Sequence, residues 1–204
     1  MNIAALFTTL GVVFLAELPD KTAIASLILG TKYRPSWVFI GVAAAFTLHV
    51  VLAVAAGSLL SLIPERPLQA IVAALFLLGA VLMLRSHGRD EGQEAAAEAE
   101  EAEEVPDLGA GAGFGKVAGT AFGVIMVAEF GDLTQIVTAN LAAKYGDPLA
   151  VGIGATLGLW AVGGLAIIGG RGLLKVLPLH LIVRVAAGVM VVLAGVSLWQ
   201  AITG

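Results

Sequence analysis

Long apolar segments dominate this chain, and their lengths predict six membrane-spanning helices. A helix needs roughly 20 apolar residues to cross the hydrocarbon core of a bilayer. Six segments meet this requirement, and they are Asn2–Gly30, Ser36–Ile63, Pro67–Leu84, Phe114–Ala143, Pro148–Gly169 and Leu181–Ile202. The first segment has no basic leading region and continues past Glu17, so we expect a retained span and not a cleaved signal peptide. The pattern predicts an all-α integral membrane protein.

Composition supports the membrane class and excludes several kinds of chemistry. Of 204 residues, 59% are hydrophobic and only 13% are charged, whereas a soluble domain is about a quarter charged. The chain has no cysteine, which excludes disulfides, thiol catalysis and thiolate metal sites. Nine of the fifteen acidic residues lie between Asp90 and Asp107. The net charge of -4 therefore comes from one segment, and it gives no indication of a nucleic-acid partner.

The acidic segment divides the chain into three parts. We predict a first three-helix unit over residues 1–85, a linker over 86–113 and a second three-helix unit over 114–204. The linker is low in complexity and ends in glycines, which is typical of a solvated tether. The alternative is a functional segment that attracts cations or regulates the protein.

The two units are internal repeats. At a separation of 112 residues, identical residues recur, and the pairs include Ala16 with Ala128, Glu17 with Glu129, Asp20 with Asp132, Thr22 with Thr134, Ile24 with Ile136, Lys32 with Lys144 and Tyr33 with Tyr145. After one inserted residue, Pro35, Gly41 and Gly57 pair with Pro148, Gly154 and Gly170. This pattern indicates a duplicated three-helix unit. Because three is odd, the second copy must cross the membrane in the opposite sense, as in the inverted repeats of many secondary transporters.

Basic residues beside the spans predict the orientation, because cytoplasmic loops are enriched in lysine and arginine. The first, third and fifth loops carry seven of them, namely Lys32, Arg34, Arg85, Arg89, Lys116, Arg171 and Lys175. The opposite side carries Arg66 and Lys144. We therefore expect the acidic linker in the cytoplasm and both termini outside, in a multi-pass protein of the inner (plasma) membrane.

Acidic residues inside the first and fourth spans are the candidate chemistry. Ionisable residues in a span are costly and commonly mark a transport pathway. Residues three apart share a helix face, so Glu17 points with Asp20 and Glu129 with Asp132, and Gln135 continues the second stripe. In unbroken helices Thr22 and Thr134 would point away from these carboxylates. Proline and glycine inside the two motifs predict a local break, which would turn the hydroxyl groups and freed carbonyls toward the carboxylates.

This side-chain set predicts a site for a hard divalent cation. It comprises four carboxylates, two hydroxyls and one amide, contributed by Glu17, Asp20, Thr22, Glu129, Asp132, Thr134 and Gln135. Mn²⁺, Ca²⁺ and Mg²⁺ prefer such oxygen ligands, and oxygen chemistry alone does not separate Mn²⁺ from Ca²⁺. Burial and mutual repulsion favour protonated carboxyl groups when no cation is bound, which provides a basis for exchange with protons. His49 lies mid-span and is either functional or an interior histidine, while His87 and His180 lie near membrane edges.

The motifs "ELPDKT" at 17–22 and "EFGDLT" at 129–134 resemble the signature E-x-G-D-[KR]-[TS], which occurs twice in the Gdt-one type cation/proton exchanger family. The resemblance covers nearly the whole chain. It implies six helices, exchange of Mn²⁺ or Ca²⁺ for protons, manganese export as in bacterial members, and ion binding by the seven residues named above. Two positions depart from the signature, because Pro19 replaces a glycine and Leu133 replaces a basic residue.

The sequence leaves three other interpretations to consider. An intramembrane aspartyl protease uses two buried aspartates, but its G-x-G-D sequence is absent here, so no enzymatic activity is expected. An exporter of a small organic solute such as an amino acid is possible, because one fold serves many substrates. A divalent cation channel is the third. We expect no cofactor apart from the transported cation, with protons and the lipid bilayer as the other partners, and the oligomeric state is open.

Overall fold

The computed structural model describes residues 1–17, 21–60, 62–86, 106–109, 111–176 and 179–203, with the backbone alone at 21–24, 65, 82–83, 85–86, 170–176, 179–183 and 186. These residues form eight helices and contain no strand, which confirms the all-α class. In chain order the helices are α1 (Ile3–Glu17), α2 (Lys21–Lys32), α3 (Pro35–Leu60), α4 (Glu65–Ser86), α5 (Phe114–Ala128), α6 (Leu133–Tyr145), α7 (Pro148–Val176) and α8 (Leu179–Thr203).

Two of these helices are long and apolar enough to cross a membrane, over Pro35–Leu60 and Pro148–Gly169. Helices α5 and α6 qualify as a third span when taken together, although they meet at a bend of 76°. Shorter apolar helices cover Ile3–Glu17, Arg66–Val81 and Ala187–Thr203. The sequence predicted one span over Phe114–Ala143 with a local break at its motif, and the structure has that break between α5 and α6. The count of six spans stays a prediction.

Prolines and a glycine determine several helix ends. Pro35 and Pro148, which are equivalent in the sequence repeat, are the first residues of α3 and α7. A proline suits this position, because its missing N–H is one that no helical carbonyl would accept. Gly146 ends α6 with a φ of 60°, a left-handed conformation that glycine adopts without a steric penalty.

Each broken pair of helices packs on the long helix of the other half. Helices α1 and α2 contact α7, whereas α5 and α6 contact α3, and the two long helices also contact one another. Glycines allow the closest approaches, because a Cβ at Gly41 would overlap the carbonyl oxygen of Ala118, and a Cβ at Gly154 would overlap that of Leu6. Trp160 ties α7 to α3 by donating a hydrogen bond of 3.1 Å to the Ala43 carbonyl.

The outer surface is apolar, as expected of helices that face lipid. Exposed side chains include Val51 on α3, Ile168 on α7 and Trp199 on α8. A soluble monomer rarely exposes large continuous apolar patches. Glu17, Glu129 and Thr134 are instead buried between the helices.

Two short segments are fastened at the ends of the bundle. The backbone N–H of Leu108, at the end of the acidic linker, donates a 2.7 Å hydrogen bond to the Tyr33 hydroxyl. Asp147 accepts from the backbone N–H of Ala150 and from that of Asn2, and these bonds hold the pKa of its carboxyl below its usual range. The acidic run before Pro106 lies outside the described residues.

Candidate cation site

The centre of the site is the break between α5 and α6. Helix α5 ends at Ala128, and α6 begins at Leu133 with Asp132 as its N-cap. Between them Gly131 has a φ of 82°, which a residue with a Cβ rarely adopts. The glycine therefore permits a sharp change of direction in the middle of an apolar segment, as the sequence predicted for the second motif.

The break turns the threonine of the second motif toward its aspartate. Asp132 Oδ2 accepts hydrogen bonds from the backbone N–H and from the hydroxyl of Thr134, both at 3.3 Å. This contact differs from an unbroken helix, in which Thr134 would point away. It confirms the expected turn of the hydroxyl and fixes one carboxylate oxygen of Asp132 at the start of α6.

Three carboxylates meet at the break, and they come from both halves of the chain. Glu17, Glu129 and Asp132 each offer an oxygen, and these oxygens lie within 4.8 Å of one another. Glu17 has 0% of its surface exposed and Glu129 has 3%, while Asp132 is half-buried. Oxygens on opposite sides of one bound Ca²⁺ or Mn²⁺ are about 4–5 Å apart. The separation therefore suits a single divalent cation.

The helix ends at the cluster also favour a cation. Glu17 is the last residue of α1, and Glu129 is the C-cap of α5. The C-terminal end of a helix carries partial negative charge on carbonyl groups that lack intrahelical partners. Discontinuous helices in transporters use such ends to coordinate cations. Both glutamates thus add their carboxylates where the backbone is already electronegative.

A small cavity adjoins the carboxylates. Its volume is about 10 Å³, close to the space that one water molecule occupies. Its lining is Phe46, His49, Val50, Ala53, Glu129, Thr134, Gln135, Thr138 and Leu159. Polar atoms thus come from α5, α6 and α3, whereas α7 supplies an apolar wall.

The structure brings five of the seven sequence-predicted site residues to this region. Glu17, Glu129 and Asp132 form the carboxylate cluster, and Thr134 and Gln135 line the adjoining cavity. Asp20 and the side chain of Thr22 lie outside the described residues. Gln135 does not extend a continuous helical stripe, because the break separates it from Glu129. The seven-residue binding role stays a prediction.

Two cavity residues were not predicted as ligands. The Gln135 amide nitrogen contacts His49 Nδ1, which draws α3 into the site. The mid-span position of His49 was the available signal, but one position cannot show which neighbour an imidazole faces. Thr138 lies one turn after Thr134, and its hydroxyl donates a 2.7 Å hydrogen bond to the Thr134 carbonyl. That bond is an ordinary helical one, so no sequence signal marked it.

Comparison with known proteins identifies the family. The family model described as divalent cation/proton antiporter GDT1 matches residues 5–91 and 117–204. The chain belongs to the GDT1 family. This family is one of membrane transporters, which agrees with the apolar helices and with the predicted cation/proton exchange.

Several curated relatives are similar over most of the chain. A GDT1-like protein of Synechocystis is 32% identical over 76% of this chain and 78% of its own length. GDT1-like protein 3 of indica rice is 29% identical over 81% of this chain, and the chloroplastic protein PAM71 of Arabidopsis thaliana is 31% identical over 94%. The chain spans 63% and 55% of the lengths of these two plant proteins. No solved structure matches.

Proposed function

We propose that this protein is a secondary transporter of the inner (plasma) membrane that exchanges a divalent cation for protons. Mn²⁺ is the first candidate and Ca²⁺ the second. The observation that carries the proposal is the meeting of Glu17 from the first half with Glu129 and Asp132 from the second. An inward proton gradient would drive the cation out of the cytoplasm.

Ligand count explains why both halves are needed. A divalent cation of this type takes six or more oxygen ligands, whereas one glutamate and one aspartate supply few of them. Glu17 adds a third carboxylate, and Thr134 and Gln135 add neutral oxygens beside it. Asp20 and Thr22, which are equivalent to Asp132 and Thr134, are proposed to complete the site from the first motif.

The same carboxylates couple the cation to protons. Three negative charges within 4.8 Å exceed the charge of one divalent ion. When the cation leaves, like-charge repulsion and burial favour protonation of the group, and a returning cation displaces those protons. The protons belong to the cluster as a whole, because strongly interacting groups titrate together.

Two observations support an inverted repeat as the architecture. The family model matches segments that begin at residues 5 and 117, the same separation of 112 residues as the sequence repeat. Two close backbone contacts between the halves are also equivalent, since the contact of Gly41 with Ala118 corresponds to that of Gly154 with Leu6. A two-fold relation between halves would place the site at their interface.

The proposed orientation has both termini outside and the acidic linker in the cytoplasm. The chain has no cysteine, so single cysteines can be introduced within 94–104 without background labelling. An impermeant thiol reagent should leave intact cells unlabelled there and should label them after permeabilisation. Ready labelling of intact cells would reverse the orientation.

Flux in proteoliposomes tests the function. Purified protein should carry Mn²⁺ or Ca²⁺ uptake that rises when the lumen is made acidic, and this uptake should alkalinise the lumen because protons leave in exchange. Flux of the cation that ignores the proton gradient would favour a channel. Absence of divalent flux together with movement of an amino acid would favour the organic-solute exporter.

A further inference from the structure

His49 lies on α3, at the face that packs against the broken helix pair α5 and α6. It belongs to neither acidic motif. It has 2% of its surface exposed, and it lines the cavity together with Glu129 and Gln135. Its ring lies 6.5 Å from that of Phe130, which belongs to the break. Its Nε2 is buried and has no hydrogen-bond partner among the described residues. Its Nδ1 contacts the amide group of Gln135.

The direction of the Gln135 amide group follows from its contacts with Gly131 and His49. Gln135 Oε1 accepts a 3.2 Å hydrogen bond from the backbone N–H of Gly131. A backbone N–H can only donate, so the amide oxygen must face the break and the amide nitrogen must face His49 Nδ1. Nδ1 then acts as the acceptor. One side chain thus links α3 to the turn that carries Glu129 and Asp132.

We propose that His49 is a positioning residue that sets cation affinity by holding Gln135 in this direction. This inference rests on the proposed cation site. Among the described residues, the group of ligand atoms within 4.8 Å of one another consists of three carboxylates and leaves the imidazole out. The geometry therefore points to an action through Gln135, whose oxygen supports the Gly131 turn beside the carboxylates.

Loss of the acceptor at residue 49 would remove the His49 partner of the half-buried Gln135 amide N–H₂, which costs free energy and favours rotation of the amide. Rotation would release the Gly131 N–H and loosen the turn. Outer partners that orient ligands typically change metal affinity by about 10- to 100-fold when they are removed.

The repeat shows that the pair is not a general part of the scaffold. The positions equivalent to His49 and Gln135 in the sequence repeat are Val162 and Ala23. A contact needed only to pack the helices would be expected in both halves. The pair instead accompanies the second motif alone, which makes the proposed site chemically asymmetric.

Kinetics of Mn²⁺ and Ca²⁺ flux test the proposal, with equilibrium Mn²⁺ binding to detergent-purified protein beside them. His49→Phe keeps a ring but removes the acceptor, and it should raise the KM for Mn²⁺ by about tenfold or more while kcat changes less than about threefold. His49→Asn offers an oxygen near the position of Nδ1, so it should return the KM to within about threefold of the starting protein. Leu48→Ala, at a lipid-facing neighbour, is the matched control.

A double-variant cycle separates this role from packing. If His49 acts through Gln135, His49→Phe should add no further rise in KM to that of Gln135→Leu. The proposal is overturned if His49→Phe transports with an unchanged KM, if His49→Asn fails like His49→Phe, or if the two losses simply add. A starting protein that neither binds nor transports either cation would overturn the proposed function itself, so the two failures are distinguishable.

Discussion

The two halves of the chain place a glutamate at the same structural position and then diverge. Each has a 15-residue helix that packs on the long helix of the other half, and Glu17 ends the first while Glu129 caps the second. Each of these helices comes close to the long helix at a glycine, which is Gly154 for the first helix and Gly41 for the second. Beyond the glutamates the sequences differ at Pro19 and Gly131, and His49 and Gln135 have apolar counterparts.

This comparison shows which features the duplication supplies and which it does not. Helix packing and the two glutamates recur at equivalent positions of the sequence repeat. The φ of 82° at Gly131 cannot recur at a proline, since its ring fixes φ near -65°. Pro19 itself lies outside the described residues. We infer that a shared scaffold carries a site whose two sides have different chemistry.

Removal of either glutamate should have the largest effect. Glu17→Gln and Glu129→Gln each remove a proposed ligand of one shared site, so each should lower pH-driven Mn²⁺ flux by more than about 100-fold, beyond the loss typical of an outer partner. The double variant should be no worse than either single one, because both residues serve one site. Normal flux in Glu17→Gln with none in Glu129→Gln would break the comparison and give the first motif a structural role.

Substitutions at Gly131 and Pro19, which occupy matching positions in the two motifs, should show that the two motifs contribute differently to transport. Gly131→Pro forces φ away from 82° and removes the N–H that donates to Gln135, so transport should fall by at least about tenfold. Pro19→Gly relaxes the first motif toward the family signature and should leave transport within a few-fold. Flux measured at equal reconstituted protein decides this, and equal losses in both variants would contradict the asymmetry.

Substitution of a glycine at a helix contact should change folding stability more than it changes cation/proton coupling. A Cβ at Gly41 would overlap the Ala118 carbonyl oxygen, so Gly41→Ala should cost about 1–3 kcal/mol of folding free energy. The control is Gly123→Ala on α5, where the added carbon meets open space and helix propensity improves by about 1 kcal/mol. Thermal unfolding in detergent should rank Gly123→Ala above the starting protein and Gly41→Ala below it.

Shortening the acidic linker should have the smallest effect on transport. Deletion of residues 94–104 removes charge from a segment whose composition is typical of a tether, and it spares the end that hydrogen-bonds Tyr33. Transport should therefore stay within about threefold of the starting protein, as expected when a segment of tether-like composition is shortened. Complete loss of flux in correctly inserted protein would favour the cation-attracting alternative.

Sequence reasoning predicted the helical class, the family and the break at Gly131, because span length, motif spacing and glycine chemistry are local properties. It could not predict the contact between His49 and Gln135, because that contact joins α3 to α6 across 86 positions. It did not predict the 76° bend between α5 and α6 either, because an apolar run does not show the angle at which a helix break turns the chain. Membrane orientation and the partition into 1–85, 86–113 and 114–204 stay predictions.

The number of Mn²⁺ ions bound per chain tests the central claim most directly. Equilibrium binding to the detergent-purified protein, followed by the electron paramagnetic resonance of free Mn²⁺, should saturate at one ion per chain. Binding should be lost in both Glu17→Gln and Glu129→Gln, because one ion needs carboxylates from both halves. Saturation at two ions per chain, with one retained in each variant, would mean that each motif forms its own site and would contradict the account.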